Sequence, residues 1–216
     1  MIYLFDSGVT FENNDCVEAY AVNQEPQDNV GHGTCMASVI KSINSSCKIY
    51  SIKIGNDKPK ISTVLQCLNF VEQQETNGQD IILFNANFSS LLDISMFESK
   101  LKQLSKKYLI IVPAGNDASS VDLYSPARCS FVLTVGSLNK SKKITSVSNI
   151  DGTKKIDLWV VSTNTLAQDR DQNPVRLFGT SVAASIAAAL SDLNGTKDID
   201  SLRKLVTEYN DTIAFN

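Results

Sequence analysis

Histidine, cysteine and proline are scarce in this sequence, and long apolar runs are missing from it. Its 216 residues include 1 His, 5 Cys and 5 Pro. A zinc peptidase motif needs at least two histidines, so that class of metalloenzyme is excluded. The longest apolar stretch, at residues 182–190, is interrupted by Ser185 and falls far below the ~18 residues of a membrane helix, so no membrane partner is expected.

The cysteines and the N-terminal residues predict where the protein resides. The five cysteines are scattered and form no CxxC pair: Cys16, Cys35, Cys47, Cys67 and Cys129. Such a pattern suits reduced thiols in a reducing compartment. Residues 1–5 are apolar but lack a basic flank, and they meet a charged residue before a signal-peptide core can form. The chain is therefore predicted to be cytoplasmic.

Excess positive charge is also lacking. Lys and Arg number 20 against 23 Asp and Glu, a formal net charge of −3, and the one basic cluster is short, at residues 140–143. Nucleic acid is therefore not expected as a partner. The chain is 43% hydrophobic and can bury a sizeable core, and its length fits a single domain over residues 1–216.

Short apolar runs alternate with helical patterns along the whole chain. Strands are predicted at residues 2–5, 48–54, 80–84, 108–112, 132–135 and 156–160. Apolar residues at helical spacing predict helices near 35–43, 61–71, 97–108, 180–193 and 199–209, and the polar stretch 162–172 is predicted to be a surface loop. The alternation predicts an α/β fold of three layers, with a mostly parallel sheet flanked by helices on both faces.

Four polar residues stand at strand ends or helix starts. Asp6 follows the first strand, His32 precedes a helix, Asn116 follows another strand, and Ser181 lies in the first turn of an Ala-rich helix. Each has an ordinary explanation when taken alone, as a turn residue or a helix cap. Together, on what should be one edge of the sheet, they form a candidate catalytic group.

The local motifs around these residues resemble those of the subtilisin-like serine peptidases. Asp6-Ser7-Gly8, His32-Gly33-Thr34 and residues 179–183 (Gly-Thr-Ser-Val-Ala) match the three catalytic signatures of that family, and Ala114-Gly115-Asn116 matches its oxyanion-hole segment. The resemblance covers nearly the whole chain.

The order Asp, His, Ser separates this family from the other hydrolases. An α/β-hydrolase needs a histidine after the nucleophile, and none follows Ser181. A chymotrypsin-like enzyme would be an all-β barrel, which the predicted helices contradict. A papain-like pair of Cys35 and His32 would lie three residues apart on one helix, with no separate group to orient the base.

The resemblance implies acyl transfer without a cofactor or metal. Ser181 would attack the peptide carbonyl, His32 would carry the proton, and Asp6 would orient the imidazole. The Asn116 amide and the Ser181 backbone N–H would bind the oxyanion. The connection after His32 is too short for the family's usual calcium loop, so no calcium is predicted there.

The resemblance also implies where an extended peptide would bind. Asn87-Phe88-Ser89 stands where the family usually has Ser-Leu-Gly, within the segment 85–90 that pairs with the substrate backbone. Pro113, Ala114 and Gly115 would form a wall of the pocket for the residue before the scissile bond. Tyr124 would stand at the base of that pocket, where the family often has a small residue, and would make it shallow.

Other departures from the family bear on function. Asp6 comes almost at the start of the sequence, so a single domain without a propeptide is expected, and with it a separate folding or inhibitory partner. Ser185 replaces the Pro of the nucleophile's helix, and Trp159-Val160-Val161 replaces the usual Ala-Pro-Gly. Cys35 lies one turn after His32 and is expected to be a buried, inert thiol. Inhibition by mercurials would show that it is reactive instead.

The sequence thus predicts a monomeric, intracellular serine endopeptidase that processes a specific protein or peptide. Two alternatives remain open. In the first alternative, the chain is a catalytically idle peptide-binding or regulatory domain of the same fold. In the second, it is the catalytic subunit of a larger complex whose other parts complete the site.

Overall fold

A seven-stranded parallel sheet forms the centre of the computed structural model, which describes residues 1–10, 18–56, 58–89 and 94–215. Its strands are β1 (Ile2–Asp6), β2 (Glu18–Ala21), β3 (Ile49–Lys53), β4 (Ile81–Phe84), β6 (Leu109–Pro113), β8 (Leu133–Leu138) and β9 (Leu158–Val161). Two short antiparallel pairs lie outside it, β5 (Phe88–Ser89) with β7 (Tyr124–Ser125) and β10 (Thr165–Gln168) with β11 (Pro174–Leu177). Cys16 and Ser90 lie outside the described residues.

The order of the strands defines where a site belongs. Across the sheet it runs β2-β3-β1-β4-β6-β8-β9, so the chain moves to one side of β1 first and to the other side afterwards. In open α/β sheets, ligands bind in the crevice at the carboxyl ends of the strands where the order reverses. Here that crevice lies between the ends of β1 and β4.

Helices cover both faces of the sheet. On one face lie α1 (His32–Ile43), α4 (Thr180–Leu193) and α5 (Ile199–Phe215), and on the other lie α2 (Ile61–Glu72) and α3 (Ser95–Leu104). The strands are buried from both sides, and all five residues of β1 are buried. This double burial explains the continuous apolar runs in the sequence. The predicted three-layer α/β fold is confirmed.

The boundaries of the elements match the prediction best where a local signal marks them. Helix α4 begins and ends at the predicted residues, with Asn194 as its C-cap and Gly195 in a left-handed conformation at φ 59°. Helix α5 continues beyond the predicted residue 209 to Phe215. The sequence prediction had no counterpart for the edge strand β2.

The prediction of a surface loop at 162–172 was wrong. Residues 165–168 form β10, whose side chains alternate between the core and the solvent: Ala167 is 3% exposed and Leu166 is 56% exposed. Ser162 is fully buried. The Gln168 N–H donates to Ser38 Oγ on α1 at 2.8 Å, so the hairpin is held against that helix. The polar composition of the segment concealed this packing.

Within the described residues, no helix has both the length and the apolar character needed to cross a membrane.

Candidate active site

Asp6 and His32 form a hydrogen-bonded pair at the carboxyl edge of the sheet. Asp6 is the last residue of β1 and His32 the first of α1, and the two side chains meet with Asp6 Oδ1 2.7 Å from His32 Nδ1. Asp6 is almost fully buried. Its Oδ1 accepts the Ser7 N–H at 2.7 Å, and its Oδ2 accepts from Asn85 Nδ2 at 3.2 Å. Three donors therefore hold the carboxylate in one orientation.

The environment of His32 suits a base that works near neutral pH. The negative charge of Asp6 raises the pKa of His32, although burial of the ring acts in the opposite direction. Because the carboxylate accepts a hydrogen bond from the Nδ1–H group, the neutral ring carries its lone pair on Nε2. The side chain is 42% exposed, so Nε2 can meet a substrate.

Close packing between the first turn of α1 and the loop after β1 makes this pair possible. A Cβ atom added to Gly33 would lie 2.1 Å from the carbonyl oxygen of Gly8 and 3.1 Å from Asp6 Cβ. No side chain fits in that space. Glycine after His32 is therefore required by the approach of the two backbones.

Ser181 lies in the first turn of α4 and is half-buried. The first intrahelical bond of this helix runs from the Ala183 N–H to the Gly179 carbonyl. The N–H of Ser181 therefore has no acceptor inside the helix and is available to an anion at the helix N-terminus. The carbonyl of Ser181 also accepts the Ser185 hydroxyl, at 2.9 Å.

Asn116 is fixed beside this helix start. Its Oδ1 accepts both the backbone N–H and the hydroxyl of Thr180, each at 3.0 Å. Because a backbone N–H can only donate, the amide oxygen must face Thr180, and Nδ2 is left as a donor. The Thr180 hydroxyl also accepts the Gly115 N–H at 3.2 Å. Asn116 Nδ2 and the Ser181 N–H are thus two donors on neighbouring segments.

His32 and Ser181 head two helices that pack against each other, α1 and α4. In the part of the chain that the structure describes, His32 is hydrogen-bonded to Asp6 but not to Ser181. Catalytic hydrogen bonds are often long in enzymes without substrate and tighten when substrate binds. The complete triad therefore stays a prediction.

Asn149 holds the segment that is predicted to form the oxyanion hole. Its Nδ2 donates to the Ala114 carbonyl at 2.9 Å, and its Oδ1 accepts the N–H groups of Asp117 and Ser119 at 3.0 and 3.1 Å. The Asn149 N–H donates to the Gly115 carbonyl at 2.8 Å. One buried side chain thus fixes the loop on both sides of Asn116.

The structure brings the predicted substrate-binding segments together. Asn87 Nδ2 donates to the Pro113 carbonyl at 3.1 Å, which joins the two predicted walls. Ser89 pairs with Tyr124 across the β5–β7 ladder. Pro113, Ala114 and Gly115 are all buried.

Two of the predicted binding side chains have a more specific environment. Phe88 is 6% exposed and packs against Phe84 and Phe97, so only its backbone is available to a peptide. Burial and the nearby Asp117 carboxylate raise the pKa of Tyr124. The binding roles of these residues stay predictions.

Comparison with known proteins identifies the family. Residues 5–193 match the sequence model of the Subtilase family. The chain belongs to the subtilase family. The predicted resemblance is thereby confirmed.

The curated relatives are distant in sequence. Subtilisin-like protease 2 of Pseudogymnoascus destructans is 26% identical over 212 residues, which is 90% of this chain and 52% of the relative. Proteinase R of Parengyodontium album is 24% identical over 204 residues, 88% of this chain and 52% of the relative. This subtilase therefore spans about half the length of the curated relatives it matches.

Solved structures share the fold. A cold-adapted subtilisin-like serine proteinase superposes with a TM-score of 0.82 at 21% identity, over 96% of this chain and 80% of that one. The prenylagaramide maturation protease PagA superposes with a TM-score of 0.72 at 19% identity, over 90% of this chain and 74% of that one.

Sequence reasoning missed three polar residues of this subtilase site. Asp28 is a buried carboxylate before α1, Asn85 bonds Asp6, and Asn149 holds the oxyanion-hole segment. Asp28 and Asn29 before a glycine at a helix start are a capping signal that could have been noticed. No local pattern marks Asn85 or Asn149, because their partners are distant in the chain.

The four cysteines that the structure describes are buried thiols. Cys35, Cys47, Cys67 and Cys129 are free and buried. Burial, with Asp169, Asp28 and Asp6 nearby, raises the pKa of Cys35, so the sulfur stays protonated and weakly nucleophilic. Among the described residues, no group of three or more His, Cys, Asp and Glu side chains is arranged to hold a metal ion.

Proposed function

We propose that this subtilase is a serine endopeptidase that uses Asp6, His32 and Ser181 as a catalytic triad. The observation that carries the proposal is the 2.7 Å bond between Asp6 and His32 Nδ1, which leaves Nε2 as a base at the head of α1. Serine hydroxyls are weak nucleophiles at neutral pH and need such a base.

In the proposed reaction the Ser181 hydroxyl attacks the peptide carbonyl while His32 takes its proton. Asp6 keeps the proton on Nδ1 and stabilises the imidazolium without becoming protonated itself. The oxyanion receives hydrogen bonds from Asn116 Nδ2 and from the Ser181 N–H. His32 then donates its proton to the leaving amine, and water hydrolyses the acyl-enzyme by the same steps.

The proposed substrate is a peptide in extended conformation. A cleft of about 310 Å³ lies beside the Asp6–His32 pair, lined in part by Ile54 and Ala86. Val30 and Phe178, near His32 and Ser181 in the chain, are 51% and 63% exposed. Val30 lines the cleft together with Ile54 and Ala86, so a bound peptide has an apolar surface to bury there.

We also propose that the enzyme cleaves a restricted set of proteins in a reducing compartment such as the cytoplasm. Free, buried thiols at the four described cysteines support a reducing environment. The predicted narrowing of the pocket by Tyr124 supports a restricted substrate range. Because the curated relatives are about twice as long, a partner or further segment that completes the site is part of the proposal.

A fluorophosphonate probe tests the chemistry. We expect the wild type to gain one probe adduct by intact mass, and Ser181→Ala and His32→Ala to gain none while keeping the wild-type circular dichroism spectrum. Ser201→Ala, on α5 and far from the site, is the matched control and should label like the wild type. An adduct that persists in Ser181→Ala would contradict the proposed nucleophile.

A second candidate is a catalytically idle peptide-binding domain, in which Ser181 and His32 never form a hydrogen bond. It predicts no probe adduct and no hydrolysis, together with binding of extended peptides that Tyr124→Gly alters. The molecular mass of the native protein, measured by size-exclusion chromatography, distinguishes a monomeric peptidase or binding domain from a catalytic subunit within a larger complex.

A further inference from the structure

Asp28 is a buried carboxylate that the proposed reaction does not use. It stands four residues before His32 and is 3% exposed. A buried charge is costly unless donors surround it. The identity of those donors indicates what the charge does.

The carboxylate of Asp28 holds the start of α1. Its Oδ1 accepts the N–H groups of Val30 and Gly31 at 3.0 and 2.8 Å. Its Oδ2 accepts the N–H and the hydroxyl of Thr34 at 2.9 and 2.7 Å. These bonds lie on both sides of His32 in the chain, and the Asp28 charge sits at the positive end of the helix dipole.

The same carboxylate reaches the loop that carries Asp6. Ser7 Oγ donates to Asp28 Oδ1 at 2.8 Å and accepts the Gly33 N–H at 3.0 Å. The Ser7 N–H donates to Asp6 Oδ1 at 2.7 Å. Hydrogen bonds therefore connect Asp28 through Ser7 to Asp6, which is bonded to His32, and to the backbone of Gly33, the residue after His32.

Asp28 carries its charge at neutral pH. Burial acts to raise its pKa, but the donors from Gly31 and Thr34 outweigh burial and hold the pKa below its usual range. This charge also adds to the effect of Asp6 in raising the pKa of His32. The residue before Asp28 is also held in place, because the Lys53 ammonium donates to the Gln27 carbonyl at 2.5 Å.

We propose that Asp28 is a positioning residue that sets the place of His32 relative to Asp6 through Ser7 and the N-terminus of α1. Its role in turnover rests on the proposed function, whereas its effect on the imidazole does not. Asp28 is too deeply buried to touch a substrate, so it acts on the rate through His32 alone.

His32 is the only histidine in the chain, so its titration can be followed directly. NMR titration of the imidazole reports the pKa of His32 without interference and without any need for catalysis. In Asp28→Asn we expect a lower pKa of His32, a kcat reduced about 100-fold by misplacement of the base, and a nearly unchanged KM.

One further variant separates the hydrogen bonds of Asp28 from its charge, and a second variant is its control. Ser7→Ala keeps the charge of Asp28 and removes the two hydrogen bonds of Ser7 Oγ, to Asp28 and to the Gly33 N–H, so we expect kcat to fall about threefold to tenfold with little change in the His32 pKa. Asp122→Asn is the matched control. Its carboxylate also has a lowered pKa from backbone donors, those of Thr153 and Lys154, and neither kcat nor the His32 pKa should change.

The outcomes distinguish failure of this inference from failure of the proposed function. Asp28→Asn that folds with the wild-type kcat and the wild-type His32 pKa overturns the inference and leaves the function intact. If Asp28→Asn does not fold, a wild-type kcat in Ser7→Ala overturns it. If the wild type has no peptidase activity, the NMR resonance of the His32 Nδ1–H group, which reports its hydrogen bond to Asp6, decides: a resonance that is shifted or lost in Ser7→Ala, which keeps the charge of Asp28, supports the positioning role, and an unchanged one overturns it.

Discussion

At the scale of single residues, the proposed chemistry depends on one imidazole and the carboxylate that is hydrogen-bonded to it. Asp6 stabilises the charged form of His32, so a larger fraction of His32 is protonated at a given pH than for an isolated histidine. The proposed general base must be neutral to accept the serine proton. Activity should therefore rise with pH through a pKa above the ordinary value of about 6.5.

Asp6→Asn should lower kcat and move the acid limb of the pH profile to lower pH. The loss is expected to be about 10⁴-fold, the size found when the carboxylate partner of a catalytic histidine is neutralised. Removal of the negative charge lowers the His32 pKa, which shifts the limb. The pH dependence of kcat/KM measures both, with Asp198→Asn at the exposed start of α5 as control. An acid limb that stays in place contradicts this role of Asp6.

Tyr124→Gly should change the substrate preference. If Tyr124 fills the base of the pocket for the residue before the scissile bond, its removal admits large aromatic side chains. We expect a peptide library to show small residues there for the wild type and large ones for the variant. A wild type that already prefers large aromatic residues would falsify the shallow pocket.

At the scale of elements, loops at the carboxyl ends of the strands are held by buried amides from elsewhere in the chain. Asn149 holds the segment after β6, as described above. Asn210 on α5 accepts the Val161 N–H at 2.7 Å and donates to the Trp159 carbonyl at 2.8 Å. Asn210 thereby makes hydrogen bonds to the backbone of the edge strand β9 that a neighbouring strand would otherwise make.

Asn149→Ala should weaken the oxyanion hole without emptying the site. The loop on both sides of Asn116 loses three hydrogen bonds to the side chain and keeps the one to the Asn149 backbone. We expect kcat to fall with little change in KM, and the free energy of unfolding to fall by about 1–3 kcal/mol because buried backbone groups lose partners. Kinetics and urea unfolding test this, with the exposed Asn173→Ala as control; equal kcat in both variants would count against it.

Asn210→Ala should affect stability and leave the chemistry alone. Removal of the amide leaves the Val161 N–H and the Trp159 carbonyl at the sheet edge without their partner, at a cost of about 1–3 kcal/mol in unfolding free energy. The expected kcat is that of the wild type, since β9 is the far edge of the sheet from β1. Thr212→Ala on the same helix is the control for urea unfolding. A loss of kcat as large as that of Asn149→Ala would show that the two asparagines do not have separate roles.

At the scale of the whole molecule, the helix α1 leads to β3 through a short connection, residues 44–48. This leaves no room there for a calcium loop of the family's usual kind, and stability should come from the doubly covered sheet. We expect the Tm to be unchanged by a chelator of divalent cations in a thermal melt. A Tm that falls sharply with chelator and recovers with added calcium would contradict the expectation.

Much of the molecule was predictable because its signals are local. The buried strands are continuous apolar runs, α4 has a marked start and end, and Asp6, His32 and Ser181 stand in short motifs. What was missed depends on distant partners. Strand β10 is stabilised by contact with α1, and its polar sequence does not show that contact.

The sequence by itself determined the α/β class, the family and the order of the candidate catalytic residues, since apolar periodicity and short motifs are properties of neighbouring residues. Only the tertiary structure decided that Asn85 and Asn149 hold the site and that Asp28 is bonded to Ser7. Their hydrogen bonds join segments far apart in the chain, and such bonds exist only after the sheet has brought the strand ends together.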